Sequence, residues 1–217
     1  MKQKTLFIVS AVVLLLVFVL ATLAYKSEKV DQSAQLAARN SQNLVRFHSP
    51  ALGKADAPVV IVEFLDPACE TCRAFYPMVK RMMAANPDRI RLVLRYAPFH
   101  NGSDKVVAVL EAARKQGKFW PALEALLAAQ SDWTLNHQAH VDRVWKHLEG
   151  LGLNLEQMRA DMAAPEIAGV IAQDLDDARI LKVTQTPEFF VNGKPLPTFG
   201  YEPLKALVDE ALASAKK

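Results

Sequence analysis

The chain has 217 residues, of which 51% are hydrophobic, so it is long and apolar enough for one sizeable domain and is not disordered by composition. Its 26 basic and 23 acidic residues give a formal net charge of +3, and two of the lysines precede the first apolar run, so the remainder is nearly balanced. A nucleic-acid-binding domain would need a basic patch or stripe, which this balance does not support.

The first predicted element is a membrane helix. Residues 6–24 carry no charge and approach the ~20 residues that a helix needs to span a bilayer. The lysines in front predict a cytoplasmic N-terminus and a single-pass anchor over residues 1–25, followed by a polar stalk over 26–48. The alternative is a signal peptide cleaved after residue 24, which would leave a soluble periplasmic protein. Both place the remainder outside the cytoplasm, where disulfides form and persist.

A βαβ pattern follows the stalk. The segment VVIVEFL at 59–65 is nearly continuous in β-forming residues and predicts a strand buried on both faces, with Glu63 as its one carboxylate. Both cysteines come directly afterwards, and from Cys69 the apolar spacing becomes helical, with Pro77 inside the helix. Residues 90–96 predict a second strand. The cysteine pair therefore lies at a strand-to-helix junction.

The second half of the chain is predicted to be helical until a last β segment. Residues 103–181 indicate successive helices, including one through Val141, Val144 and Leu148, and Ser103 is expected to cap the first. Strand structure returns at 188–191, a hairpin signal follows, and a final helix closes the chain. We predict an α/β domain formed by residues 49–102 and 182–217, interrupted by an all-helical subdomain over 103–181.

Three uses of the two cysteines have to be weighed. A structural disulfide closing so short a loop would remove little chain entropy, because the gain grows with loop length. A zinc site would need two further ligands, for which His137 and His140 are available in the sequence. A redox pair has more support: a helix N-terminus stabilises a thiolate at Cys69, the thiolate is the attacking species in disulfide exchange, and Cys72 would resolve the mixed disulfide.

Three stretches resemble the DsbA-like branch of the thioredoxin superfamily: SPALG at 49–53, APVVIVEF at 57–64 and DPACETC at 66–72. The resemblance covers about residues 49–215 and leaves out the anchor and stalk. It implies a thioredoxin-like fold with an inserted helical domain. It also implies thiol:disulfide exchange with protein substrates, a membrane partner that resets the pair, and no cofactor or metal beyond the Cys69–Cys72 disulfide.

The resemblance also assigns roles outside the cysteines. Glu63 matches the family's buried acid, and a carboxyl with a raised pKa would accept the proton of Cys72. The alternative is a salt-bridged or exposed glutamate. Thr186-Pro187 matches the family's cis-proline, which would present the Thr186 backbone to an extended substrate. The alternative is an ordinary trans proline.

One departure concerns the residues between the cysteines. Strongly oxidising DsbA enzymes carry a histidine there, whereas this chain has Glu70 and Thr71. A carboxylate beside Cys69 is expected to raise the pKa of its thiol and to weaken the oxidant, which predicts a potential between those of DsbA and thioredoxin. The sequence leaves oxidase, reductase and isomerase directions open. A metal-binding or metal-delivery protein and a holdase chaperone are the competing functions.

Overall fold

A computed structural model describes residues 13–22, 35, 38, 40 and 42–215. The chain divides into two units, residues 1–39 and 40–217, and every strand and helix named below belongs to the second. Residues 13–22 are helical, and within the described residues no helix is both long and apolar enough to cross a bilayer. The rest of the predicted anchor and most of the predicted stalk lie outside the described residues.

The second unit is built on a five-stranded sheet in the order β1-β3-β2-β6-β7. The central strand β2 pairs in parallel with β3 and antiparallel with β6, while β1 and β7 run antiparallel at the two edges. A separate ribbon of two short strands, β4 and β5, lies between β3 and β6 in the sequence. The strands are β1 Ala51–Leu52, β2 Val59–Leu65, β3 Ile90–Tyr96, β4 Thr134–Leu135, β5 Gln138–Ala139, β6 Glu188–Val191 and β7 Lys194–Pro195.

After β1, the described residues form seven helices, and five of them follow one another between β3 and β6. Two 3-10 turns, Val141–Arg143 and Trp145–His147, lie in the same interval. The helices are α1 Glu70–Ala85, α2 Ser103–Lys115, α3 Phe119–Ala128, α4 Gln130–Trp133, α5 Leu155–Asp161, α6 Pro165–Ile180 and α7 Tyr201–Ser214.

The alternation of side chains along β2 decides which core each residue enters. Val62 and Phe64 point to the smaller core, whereas Ile61 and Leu65 point to the larger one, which also contains Cys72. Glu63, two residues from both Ile61 and Leu65, lies on the face of the larger core. The sequence thereby directs one carboxylate towards the buried cysteine.

The predicted thioredoxin-like α/β fold is confirmed, with three local corrections. The helix predicted through Val144 and Leu148 is two 3-10 turns, and the interval 103–181 contains the ribbon β4–β5, so it is not all-helical. Ser103 does not cap α2: Gly102 holds that position at a φ of 77°. The boundaries proposed for the domains stay a prediction.

Candidate active site

Cys69 is held at the start of α1, where it is the N-cap residue. Its Sγ accepts a hydrogen bond from the backbone N–H of Cys72 at 3.4 Å, and its thiol donates to the carbonyl oxygen of Thr186 at 3.2 Å. The pKa of Cys69 falls to about 5, because hydrogen bonds from Cys72, from the Thr186 side chain and from the backbone of Thr71 outweigh the opposing effect of burial. The helix start therefore stabilises a thiolate.

Cys72 is the opposite kind of thiol. It lies one turn into α1 and is completely buried. Burial raises the pKa of Cys72 well above its usual value, and the hydrogen bond to Cys69 and the nearby charge of Glu63 raise it further. Two neighbouring thiols with opposite shifts suit the roles of an attacking sulfur and a protected sulfur.

Glu63 is fully buried in the middle of the sheet. Its strand is paired on both sides, so neighbouring backbone groups are used in the ladders, and neither carboxylate oxygen has a hydrogen-bond partner in the described structure. Burial, followed by the charge of Cys69, raises the pKa of Glu63 to about 8. The alternative of a salt-bridged or exposed glutamate is wrong.

Thr186 and Pro187 lie directly in front of β6 and across from the cysteines. The bond between them is cis, so the alternative of a trans proline is wrong. The Thr186 carbonyl is the group that Cys69 contacts. The late strand thus brings a backbone segment from more than a hundred positions away to the reactive sulfur.

The effect of Glu70 on the Cys69 thiol stays a prediction, because Glu70 is not among the causes of the Cys69 pKa shift. The Glu70 side chain is half exposed and faces His137, with 3.7 Å between the Glu70 Oε1 and the His137 Nδ1 atoms. The pKa of Cys69 is lowered rather than raised, and the backbone of Thr71 contributes to the lowering. The hydrogen bonds around the start of α1 therefore lower the pKa of Cys69 even though a carboxylate follows it in the sequence.

Two residues to which the sequence analysis assigned no role hold the cysteine loop. Asp66 is buried and accepts hydrogen bonds from the backbone N–H groups of Ala68 and His100, each at 2.8 Å, from the Nδ1 of His100 at 2.7 Å, and from the Ser103 hydroxyl. An acid directly after a strand was a visible signal, but three of its four hydrogen bonds come from residues 34 and 37 positions away.

The second of these residues is Gln130, from the first turn of α4. Its Nε2 donates to the carbonyl oxygens of Pro67 at 2.8 Å and Cys69 at 3.0 Å. The helical interval is therefore fastened directly to the redox loop. Nothing in the spacing of the sequence identified this contact.

The zinc site made of both cysteines and two histidines is not assembled. Within the part of the chain that the structure describes, the acidic, histidine and cysteine side chains that come together in a group of three are Glu70, His100 and His137. Neither cysteine belongs to this group, and His140 lies outside it.

Comparisons with known proteins agree with this geometry. A sequence model of the family described as Thioredoxin matches residues 47–210. The probable disulfide bond formation protein D of Bacillus anthracis is 28% identical over 223 residues, covering 97% of both chains. The crystal structure of a thioredoxin-like oxidoreductase from Silicibacter pomeroyi DSS-3 is 33% identical, with a TM-score of 0.67, over 77% of this chain and 94% of that one.

A further relative is much longer than this chain. The Na(+)/H(+) antiporter NhaA 3 of Salinispora tropica is 34% identical over 168 residues, which is 76% of this chain but 25% of the antiporter. The chain thus spans about a quarter of the length of the first curated relatives that it matches. The antiporter name describes that whole protein.

Proposed function

The chain belongs to the DsbA-like branch of the thioredoxin family, and from this premise we propose that it exchanges disulfides with protein substrates through Cys69 and Cys72. The Cys69–Cys72 disulfide is the redox group, and the proposal includes no separate cofactor. The observation that carries it is the pairing of one thiol whose pKa is about 5 with a buried neighbour whose pKa is well above its usual value.

In the direction that reduces a substrate, the Cys69 thiolate attacks one sulfur of a substrate disulfide. A mixed disulfide forms, and the first substrate thiolate leaves. Cys72 then loses its proton and attacks Cys69, which forms the Cys69–Cys72 disulfide and releases the second substrate thiolate. The reverse sequence oxidises a substrate dithiol.

The proton of Cys72 needs an acceptor inside the protein. Glu63 suits this role because its carboxylate is buried, lacks hydrogen-bond partners in the described structure and influences the pKa of Cys72. With a pKa of about 8, Glu63 is a stronger base than an ordinary glutamate; in its ionised form it accepts the proton of Cys72, and it returns that proton when the reaction runs backwards.

The Thr186 backbone is proposed to bind the substrate chain beside Cys69. An extended peptide that pairs with this backbone would be held by main-chain groups, so binding would tolerate different sequences. The 3.2 Å contact between the Cys69 sulfur and the Thr186 carbonyl supports this placement.

The potential is proposed to lie between about −270 mV for thioredoxin and about −120 mV for DsbA. A Cys69 pKa of about 5 supports this value, since the corresponding cysteines have pKa values of roughly 7 and 3.5. We also propose that the N-terminal segment is a membrane anchor or a cleaved leader and that the domain lies in the periplasm or an equivalent compartment. A membrane partner would then restore the starting redox state of Cys69 and Cys72.

The Cys72→Ser variant tests the function directly. Mixed with a peptide that contains one disulfide, it is expected to accumulate an adduct through Cys69, because no resolving thiol remains. Mass spectrometry measures the adduct, which dithiothreitol should remove. The Cys69→Ser variant is the control and should form none. An equal adduct in both variants would refute the proposed roles, and unchanged non-covalent binding without any adduct would favour the holdase alternative.

A further inference from the structure

Three elements bring a carboxylate and two imidazoles together beside the cysteine pair. Glu70 is the first residue of α1, His100 follows β3, and His137 lies in the turn of the ribbon β4–β5. One potential ligand atom from each lies within 4.8 Å of the others. The two imidazole rings are stacked, with 6.1 Å between their centroids and 28° between their planes. Two ligand atoms bound to one zinc ion at about 2.0–2.2 Å lie at most ~4.4 Å apart, so a shared ion requires these side chains to move slightly closer together.

The His100 ring is already oriented for such a ligand role. Its Nδ1 lies 2.7 Å from the Oδ2 of Asp66, a buried carboxylate that also accepts the backbone N–H of His100. This contact leaves Nε2 as the ring nitrogen for a metal. Metal-binding histidines in proteins usually have their second nitrogen hydrogen-bonded to a carboxylate or carbonyl in this way.

The ribbon turn that carries His137 is fixed against the loop of His100. The N–H of Ala139 donates to the carbonyl of Asn101 at 2.9 Å. Gly102 approaches the same strand so closely that a Cβ there would lie 2.5 Å from the Ala139 carbonyl oxygen. His137 itself has a φ of 59°. Asn136 has a φ of 51°, so both residues of the two-residue turn have the positive φ that a type I′ hairpin requires, and the turn fixes the backbone position of His137.

The donor set indicates the class of ion. Two imidazole nitrogens and one carboxylate are typical of zinc sites with an open position, whereas calcium and magnesium prefer oxygen ligands alone. The side chains of Glu70 and His137 are 50% and 78% exposed, so water or a substrate group can complete the coordination.

We propose that Glu70, His100 and His137 form a zinc-binding site beside the redox pair, with Asp66 orienting His100. The site uses neither cysteine sulfur. It therefore goes beyond disulfide exchange and does not depend on it. It also gives Glu70 a role that its sequence position between the cysteines did not reveal.

The test uses the full chain with both cysteines replaced by serine, so that the sulfurs cannot bind the probe. Zn²⁺ titrated into this variant by calorimetry should bind with one ion per chain. Adding His137→Ala or Glu70→Gln should weaken binding by at least about tenfold. Adding His140→Ala, three positions from His137 in the sequence, should leave the affinity unchanged. An excess of Ca²⁺ should not displace the Zn²⁺.

Two results would overturn the proposal. The first is no Zn²⁺ binding by the cysteine-free chain. The second is binding that His137→Ala and Glu70→Gln leave intact, which would mean that the cluster is only a surface ion pair. Both results would leave disulfide exchange untouched, because the peptide-adduct assay reports on Cys69 and Cys72 alone.

Discussion

At the scale of single residues, the pKa values of Cys69 and Glu63 are shifted in opposite directions. The pKa of Cys69 is lowered to about 5, so the reduced protein gains stability from this group as the pH rises from 5 towards the ordinary thiol pKa. The pKa of Glu63 is raised to about 8, so its stabilising contribution is fully present below about pH 4.5 and is lost as the pH rises towards 8. In the reduced protein the two effects largely cancel between pH 5 and 8.

In the oxidised protein, the pH dependence of the free energy of unfolding should reflect Glu63 without the opposing effect of Cys69, because a cysteine in a disulfide no longer titrates. The largest cause of the Glu63 shift, burial, persists in the oxidised protein. The free energy of unfolding of the oxidised protein is therefore expected to fall between pH 5 and 8 by up to ~1.4 kcal/mol per pH unit. Glu63→Gln should remove this slope. Urea unfolding at a series of pH values measures it.

The control for this series is Glu149→Gln, which changes an exposed glutamate and should keep the wild-type slope. The absolute stability of Glu63→Gln is not the readout, since a buried amide without partners destabilises the fold at every pH. If Glu63→Gln kept the slope of the wild type, the assignment of the raised pKa to Glu63 would be wrong.

At the scale of elements, the sequence predicted best where its pattern was local. The two long strands at 59–65 and 90–96 agree with the prediction at both ends, because each is one continuous run of β-forming residues. The helix predicted through Val144 and Leu148 was wrong, because apolar residues three and four apart also suit consecutive 3-10 turns.

The candidate site was predicted only in part, because only some of its residues belong to local sequence patterns. The two cysteines, Glu63 and Thr186-Pro187 were recognisable from short motifs. Asp66 and Gln130 were not, because they act on groups that folding alone brings near, such as the Ser103 hydroxyl. The orientation of the Glu70 side chain could not be predicted either, since adjacency to Cys69 in the sequence does not determine which way a side chain points.

The two ends of α2 offer a matched test of the contact between this helix and the ribbon. Gly102 and Gly117 have similar φ values of 77° and 70°, so an added Cβ carries a similar backbone cost at both. At Gly102 the Cβ would also meet the Ala139 carbonyl, while at Gly117 nothing lies within 4 Å. Gly102→Ala is expected to destabilise the protein by at least about 1 kcal/mol more than Gly117→Ala.

Urea unfolding of the two alanine variants measures this difference. Because Gly102 fixes the ribbon that carries His137, the Gly102→Ala variant should also show faster backbone hydrogen exchange at Ala139. Equal destabilisation by the two substitutions would mean that the ribbon moves away from α2 without cost.

At the scale of the whole second unit, a buried ion network joins three parts of the chain. Arg95 of β3 is fully buried and lies 2.7 Å from Asp174 and 2.6 Å from Asp177 of α6. Arg46 and His48, which precede β1, bind the same two carboxylates, each at 2.6 Å. These contacts therefore connect the sheet, α6 and the segment that leads into the sheet through one network of charged side chains.

Removing the central cation of this network should strongly lower the free energy of unfolding. Arg95→Met would leave two buried carboxylates without their common partner, for an expected loss of roughly 3–5 kcal/mol. Arg179→Met on the same helix removes an exposed ion pair with Asp176 and should cost less than about 1 kcal/mol. Thermal and urea unfolding distinguish the two, and similar losses would show that the buried network contributes little.

The hydrogen bonds of Asp66 and Gln130 define the smallest transferable redox unit. Transplanting only the loop from Asp66 to Cys72 into another scaffold would leave the Asp66 carboxylate without the His100 and Ser103 donors, and Pro67 without the amide of Gln130. A protein engineer would need to move three separated stretches of sequence together. The spacing of the two cysteines could be copied in one short insert, but their support could not.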